Sequence, residues 1–378
     1  MYINYKHRIF GLDVIRAAAI ILVLLSHTTL LLFPDKENTL LTIIRFFGTI
    51  GVDLFFVLSG FLIGGIILKQ LTLEKTALKD FVHFWIRRWF RTLPNYFLIL
   101  ILNIFLVYVF YGEIVNGISH YFIFLQNFSE EQPNFFTESW SLSIEEYAYI
   151  VGPCLLYFLV LISKGIPKHL LYLCVTVLII LCVTLFRYHF HVNNVISSGQ
   201  QWSHQLRKVV IYRVDSIYYG FIGAYFFMYF KPIWERYKKH LFYLAFVIFI
   251  GLHTIIFVYH ISPENTSLFY NIFYLPIVSI SLLLFFPLAT SLKNESILKS
   301  KITKISILSY AIYLINYSIV LLSIQYFIDV SQASFIIKIV ILFMYWLLSY
   351  QLSYLLFVYF ERPTTNLRDK NFFKTRID

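Results

Sequence analysis

Arg16 and His27 stand eleven residues apart in the first long apolar run, GLDVIRAAAIILVLLSH (11–27). In a helix that separation makes three turns plus roughly 20°, so both side chains face one way, about 16 Å apart along the axis. An imidazole and a guanidinium on one face of a membrane helix could move a proton and hold an anion. The competing readings are a snorkelling anchor for Arg16 and a satisfied packing histidine for His27. A second run, GVDLFFVLSGFLIGG (51–65), carries Asp53, which could pair with a cation or polarise an imidazole; its glycines and serine read as helix packing.

Two charged groups follow. In HFWIRRWFRTLP (83–94), Arg88 and Arg91 are three apart and share a helix face, a geometry suited to gripping phosphates; plain anchoring at the cytoplasmic surface is the alternative. ESWSLSIEEYAY (138–149) carries Glu145 and Glu146, adjacent carboxylates of which at most one points into the bundle. A carboxylate at the depth of His27 could orient it or raise its basicity. Arg213 and Asp215 are two apart, awkward for pairing with each other, and should bond other helices or a substrate. Asn316 and Glu361 are further polar residues in apolar surroundings.

The elements that must position these residues are bilayer helices. Hydrophobic residues make up 59% of the 378 and charged residues 13%, so a water-soluble fold would expose too much apolar surface. Apolar stretches lie near 12–33, 42–68, 92–111, 141–162, 169–190, 209–230, 240–260, 270–291, 306–328 and 335–360. Most reach the roughly 20 residues that a span needs. Polar residues near one end of 169–190 and of 209–230 make that pair the weakest, and a patch at 118–125 is short enough to be re-entrant or interfacial.

Lys and Arg concentrate in alternate connections. Lys6 and Arg8, the 69–91 loop, Lys164 and Lys168, the 231–239 and 293–304 loops and the tail after 361 hold 23 of the 31 basic residues. The opposite connections include the acidic 113–138 loop. The positive-inside rule then places both termini in the cytoplasm, which requires an even number of spans and agrees with ten. Arg187, Arg207, Lys208 and Arg213 run against this bias. The net charge of +11 is therefore mostly a topology signal and needs no nucleic acid. Cys154, Cys174 and Cys182 lack ligand spacing, so neither a metal site nor a disulfide framework is expected. The first apolar run is too long for a signal peptide and reads as a retained helix. With no internal repeat, residues 1–378 read as a single all-α integral membrane domain of about ten helices, 361–378 forming a short basic cytoplasmic tail.

In order and spelling, GLDVIRAAAIILVLLSH, GVDLFFVLSGFLI (51–63), RRWFR (87–91) followed by Pro94, SWSLSIEEYAY (139–149), YRVDSIYYG (212–220), LSYAIYLIN (308–316) and YFERP (359–363) resemble the membrane-bound acyltransferase 3 family of bacteria. The resemblance runs nearly end to end. It implies a multi-pass protein of the bacterial cytoplasmic (inner) membrane. Such a protein would transfer an acyl group, usually acetyl from cytoplasmic acetyl-CoA, to a sugar hydroxyl of a surface polysaccharide, lipopolysaccharide, peptidoglycan or small molecule. On matching positions, Arg16 and His27 are the family's first-helix pair and Arg88 and Arg91 its R-x-x-R motif. The expected cofactor-binding set is Arg16, Arg88 and Arg91. The expected catalytic set is His27, as general base or transient acyl carrier, with Glu145 and next Asp53 as its supporting carboxylate. Asn316 stands where the family often has a histidine, and no catalytic role is expected of it. The soluble extracytoplasmic domain of some members is not expected in a tail ending at Asp378. A glycan acceptor and membrane lipids are the expected partners, with no metal and no nucleic acid. The rival reading is a transporter or flippase of a polar or glycan substrate, for which no inverted repeat speaks.

Overall fold

The computed structural model describes residues 8–163, 165–292 and 298–367. Lys6, Lys164, Lys293 and the basic residues beyond Leu367, all part of the charge bias, lie outside the described residues. Among those described, nine helices are long and apolar enough to cross a bilayer, and there is no strand. In chain order the first five are α1 (Phe10–Leu32), α2 (Thr39–Thr72), α3 (Leu78–Tyr111), α4 (Ser139–Ile162) and α5 (Lys168–Asn193). The stretch expected as one span at 209–230 is broken at Val214 into Val210–Arg213 and Asp215–Tyr229, together α6. The break falls between Arg213 and Asp215, which are engaged by different helices. Then come α7 (Lys238–Val258), α8 (Phe269–Thr290), α9 (Lys299–Phe327) and α10 (Phe335–Leu367).

Local chemistry sets the ends and kinks. The Asn38 side chain accepts the Leu41 amide at 2.8 Å and caps α2, and Gly112, left-handed at φ 69°, closes α3. The prolines inside α3 and α4 each free a carbonyl one turn back, and each carbonyl is re-satisfied by a neighbouring helix, as a bilayer interior demands. Pro153 frees the Tyr149 carbonyl, which accepts the Trp85 indole N–H at 2.8 Å. Pro94 frees that of Phe90, which accepts the Thr365 hydroxyl at 3.5 Å.

Glycines let α2 and α6 meet backbone to backbone: a Cβ on Gly60 would lie 1.8 Å from the Ile217 carbonyl oxygen, and one on Gly220 would lie 2.2 Å from that of Val57. Helices α1 and α9 run parallel, since Ser306 bonds Asp13 and Asn316 bonds His27. Helix α3 is parallel to α9, with Tyr310 on the Thr92 carbonyl and Tyr326 on that of Phe110.

The connection 112–138 decides the site. Tyr96, fifteen residues or about 22 Å before the end of α3, donates its hydroxyl to the Tyr121 carbonyl at 2.8 Å. Its ring packs on Phe124 and Phe136 at 4.5 and 5.6 Å. The connection thus folds back to the middle of α3, which makes the 118–125 patch re-entrant. Asn127 ties the returning chain to the start of α6, its carbonyl accepting the Val210 amide at 2.9 Å. Helix α4 therefore begins deep in the bundle rather than at its rim.

Candidate functional site

Because α4 starts so deep, its first turns reach the level of the basic motif on α3. Arg88 donates to Glu145 at 3.0 Å and to the Tyr149 hydroxyl at 2.8 Å, and its guanidinium lies 4.3 Å from the Tyr149 ring centre. Tyr149 also donates to Glu145 at 2.8 Å. Glu146 points to the other side and accepts Thr92 and Trp89, so the two carboxylates diverge as adjacent helical residues must. Above this cluster lies a cavity of about 210 Å³, lined by Arg16, Arg88, Arg91 and Glu145 together with Tyr310 and Tyr313. Its charged lining is three guanidiniums against one carboxylate. Only Arg88 is paired. Arg16, half-buried, and Arg91, exposed, make neither a salt bridge nor a hydrogen bond among the described residues. Two uncommitted guanidiniums converging on one cavity suit an anion with several charged oxygens.

His27 lies outside that lining, farther along α1. Its Nδ1 is 2.5 Å from Asn316 Oδ1. The Asn316 amide nitrogen donates to the Ile312 and Tyr313 carbonyls at 2.7 and 2.9 Å, which fixes the other end of that side chain as acceptor. Tyr345 donates to the same Oδ1 at 3.2 Å. The network therefore assigns the imidazole proton to Nδ1 and leaves the lone pair on Nε2, the tautomer a general base requires. Asn316 opens a π-helical turn, Asn316–Leu321, a local geometry that often marks functional positions. In the same turn Ser318 donates to the buried Glu138 carboxylate, its hydroxyl at 2.5 Å and its amide at 3.3 Å. Glu138 in turn reaches the cavity wall, its carbonyl accepting the Tyr313 hydroxyl at 3.1 Å, while Ser141 and Tyr313 bond at 2.7 Å.

The six expected site residues thus fall into three places. Arg16, Arg88, Arg91 and Glu145 share the cavity. His27 sits apart with Asn316, so the partner expected for it among the carboxylates is an amide instead. Glu145 is committed to Arg88, because the re-entrant connection lowers it to the level of the basic motif. Asp53 is committed to Arg213 at 2.5 Å in a fully buried pair. Arg187 and Asp215 form a second such pair at 2.8 Å. The basic residues that ran against the charge bias are thus largely interior, Arg187, Arg207 and Arg213 all being buried. Glu138 was not singled out, since it reads from sequence as one more acidic loop residue. No group of His, Cys, Asp and Glu suited to a metal occurs among the described residues.

A family model described as an acyltransferase domain matches residues 9–362. A peptidoglycan O-acetyltransferase of Listeria monocytogenes is 32% identical over 177 residues, 43% of this chain and 26% of that protein. A putative peptidoglycan O-acetyltransferase of Bacillus subtilis is 32% identical over 182 residues, 44% of this chain and 26% of its own length. A putative O-acetyltransferase of Staphylococcus aureus strain COL is 29% identical over 168 residues, 41% and 26% of the two. The matches thus span about a quarter of the length of these curated relatives. No solved structure matches.

Proposed function

Because the chain belongs to the membrane-bound acyltransferase 3 family, as the match over residues 9–362 shows, we propose that it transfers an acetyl group from cytoplasmic acetyl-CoA to a glycan hydroxyl. A peptidoglycan-type acceptor is favoured by the names of the relatives. The observation that carries the donor assignment is the cavity where Arg16 and Arg91 stand unpaired beside Arg88. Donor phosphates would be held by these guanidiniums on the cytoplasmic side of a bacterial inner membrane, with both termini facing the cytoplasm, an orientation that the charge bias supports.

In the mechanism His27 Nε2 takes the proton of the acceptor hydroxyl while the freed oxygen pair attacks the thioester carbonyl. The C–S bond breaks, the ester forms, and the proton passes from the imidazolium to the leaving sulfur, so no net proton is consumed. Asn316 keeps Nδ1 protonated and the ring oriented throughout. Glu145 orients Arg88 and acts in donor binding; Asp53 acts in holding α2 to α6. Membranes carrying the protein should move radiolabel from acetyl-CoA into the glycan fraction. His27→Ala membranes with equal protein should not. Undiminished labelling removes His27 from the mechanism, and glycan movement without label would favour a transporter.

A further inference from the structure

Asn316 fixes the His27 tautomer only while its own side chain stays aimed, and the turn it opens, Asn316–Leu321, is π-helical and interrupts the regular helix before it. Glu138 brackets that turn from both sides. Its backbone carbonyl accepts the Tyr313 hydroxyl at 3.1 Å, three residues before Asn316. Its carboxylate Oε1 accepts the Ser318 hydroxyl at 2.5 Å and the Ser318 amide at 3.3 Å, two residues after it. Glu138 is 4% exposed and forms no salt bridge among the described residues. A carboxylate buried in that way costs stability, so packing alone does not account for it.

The chain that delivers Glu138 is held under strain. Phe136, two residues earlier, has φ 43°, a left-handed conformation uncommon for a bulky ring. The Gln132 side-chain amide fixes it by donating to the carbonyls of Phe135, Phe136 and Thr137 at 3.1, 3.1 and 3.3 Å. Gln126 and Asn127 tie the same connection to the first turns of α4, donating to the Ser143 hydroxyl at 2.6 Å and the Trp140 carbonyl at 2.9 Å. Strain of this kind persists only where the surroundings over-determine it, and it concentrates at functional sites. Resting on the acyl-transfer reading above and its use of His27, we propose that Glu138 is a positioning residue for the transfer. With Ser318 it holds the π-helical turn so that Asn316 Oδ1 stays on His27 Nδ1. Glu138 does not line the arginine-rich cavity, so it acts through Asn316 and not on the donor. Only Oε1 does this work, since Oε2 has no hydrogen-bond partner among the described residues. An uncharged amide in place of the carboxylate would therefore keep the grip.

The test is a set of initial rates of label transfer from acetyl-CoA to the glycan fraction, in membranes whose content of the full chain is quantified. Glu138→Ala should lower kcat on the order of 10²-fold, the cost of misplacing a reacting group by about 1 Å, and leave the KM for acetyl-CoA unchanged. Glu138→Gln should keep kcat within a few-fold of the wild type, since its amide oxygen still accepts from Ser318. Ser318→Ala cuts the same contact from the other side while sparing the amide bond, and should lower kcat about tenfold; it reads the contact even where Glu138→Ala does not fold. In an Asn316→Leu background neither Glu138→Ala nor Ser318→Ala should lower kcat further, because residues that act as one unit are not additive. A general loss of structure would not spare the double variants in this way. Losses that multiply, a Glu138→Gln variant as slow as Glu138→Ala, a raised KM for acetyl-CoA or full kcat in Ser318→Ala each overturn the proposal while the transfer reading stands. Wild-type membranes that move no label refute the transfer reading, and this inference with it.

Discussion

The buried pair between Asp53 and Arg213 offers a quantitative test of what Asp53 does. The two side chains are 2% and 0% exposed, and Arg213 Nε and Nη1 have no hydrogen-bond partner among the described residues. Two unit charges about 4 Å apart attract by about 4 kcal/mol at an effective dielectric of 20. Desolvating them costs several kcal/mol per ion, so the pair is close to neutral for stability. Removing one partner is different, because the other stays charged and buried. Asp53→Leu and Arg213→Met should each therefore destabilise by about 3–5 kcal/mol. Independent sites would sum to about 6–10 kcal/mol. The double variant should instead lie near the wild type or above it, since an apolar replacement of a buried pair is often neutral or stabilising. Denaturant or thermal unfolding in detergent supplies the four stabilities, and acetyl transfer in membranes supplies the activity. If Asp53 is structural, the double variant regains both fold and transfer. A double variant as unstable as the sum refutes the pairing argument, and one that folds but does not transfer returns Asp53 to the chemistry.

Asn316→Leu removes the acceptor that fixes the His27 tautomer and should slow transfer on the order of 10²-fold or more at equal abundance, with Asn316→Asp retaining more activity; an unchanged initial rate would dissociate Asn316 from His27. Arg91→Ala should raise the KM for acetyl-CoA about tenfold and leave that for the glycan unaltered, and a change confined to the glycan KM would contradict the donor cavity. Trp85→Phe orphans the carbonyl that Pro153 frees on Tyr149 and should cost about 1–3 kcal/mol in unfolding experiments. Gly220→Val places a side chain against the Val57 carbonyl and should cost about 3 kcal/mol or more, beyond ordinary overpacking; wild-type stability would mean that α2 and α6 are not in backbone contact.

The helical membrane fold was readable because its cause is local: an apolar run of about 20 residues can satisfy its backbone in a bilayer only as a helix. The shared face of Arg16 and His27 and that of Arg88 and Arg91 follow from helical periodicity in the same way. Depth across a connection is not local. Nothing in residues 112–138 states that they return to Tyr96 and start α4 in the middle of the bundle, yet that return moves Glu145 from His27 to Arg88. The partner of each buried charge likewise depends on which helices touch. Asp53 and Arg213 are 160 residues apart, and His27 and Asn316 are 289 apart. Sequence could say that these polar groups must be satisfied inside the membrane. Only tertiary packing decided by whom, and among the described residues it left Arg16 and Arg91 without a salt bridge, because a lone sequence records the cost of burying a charge but not the distance to its counter-charge.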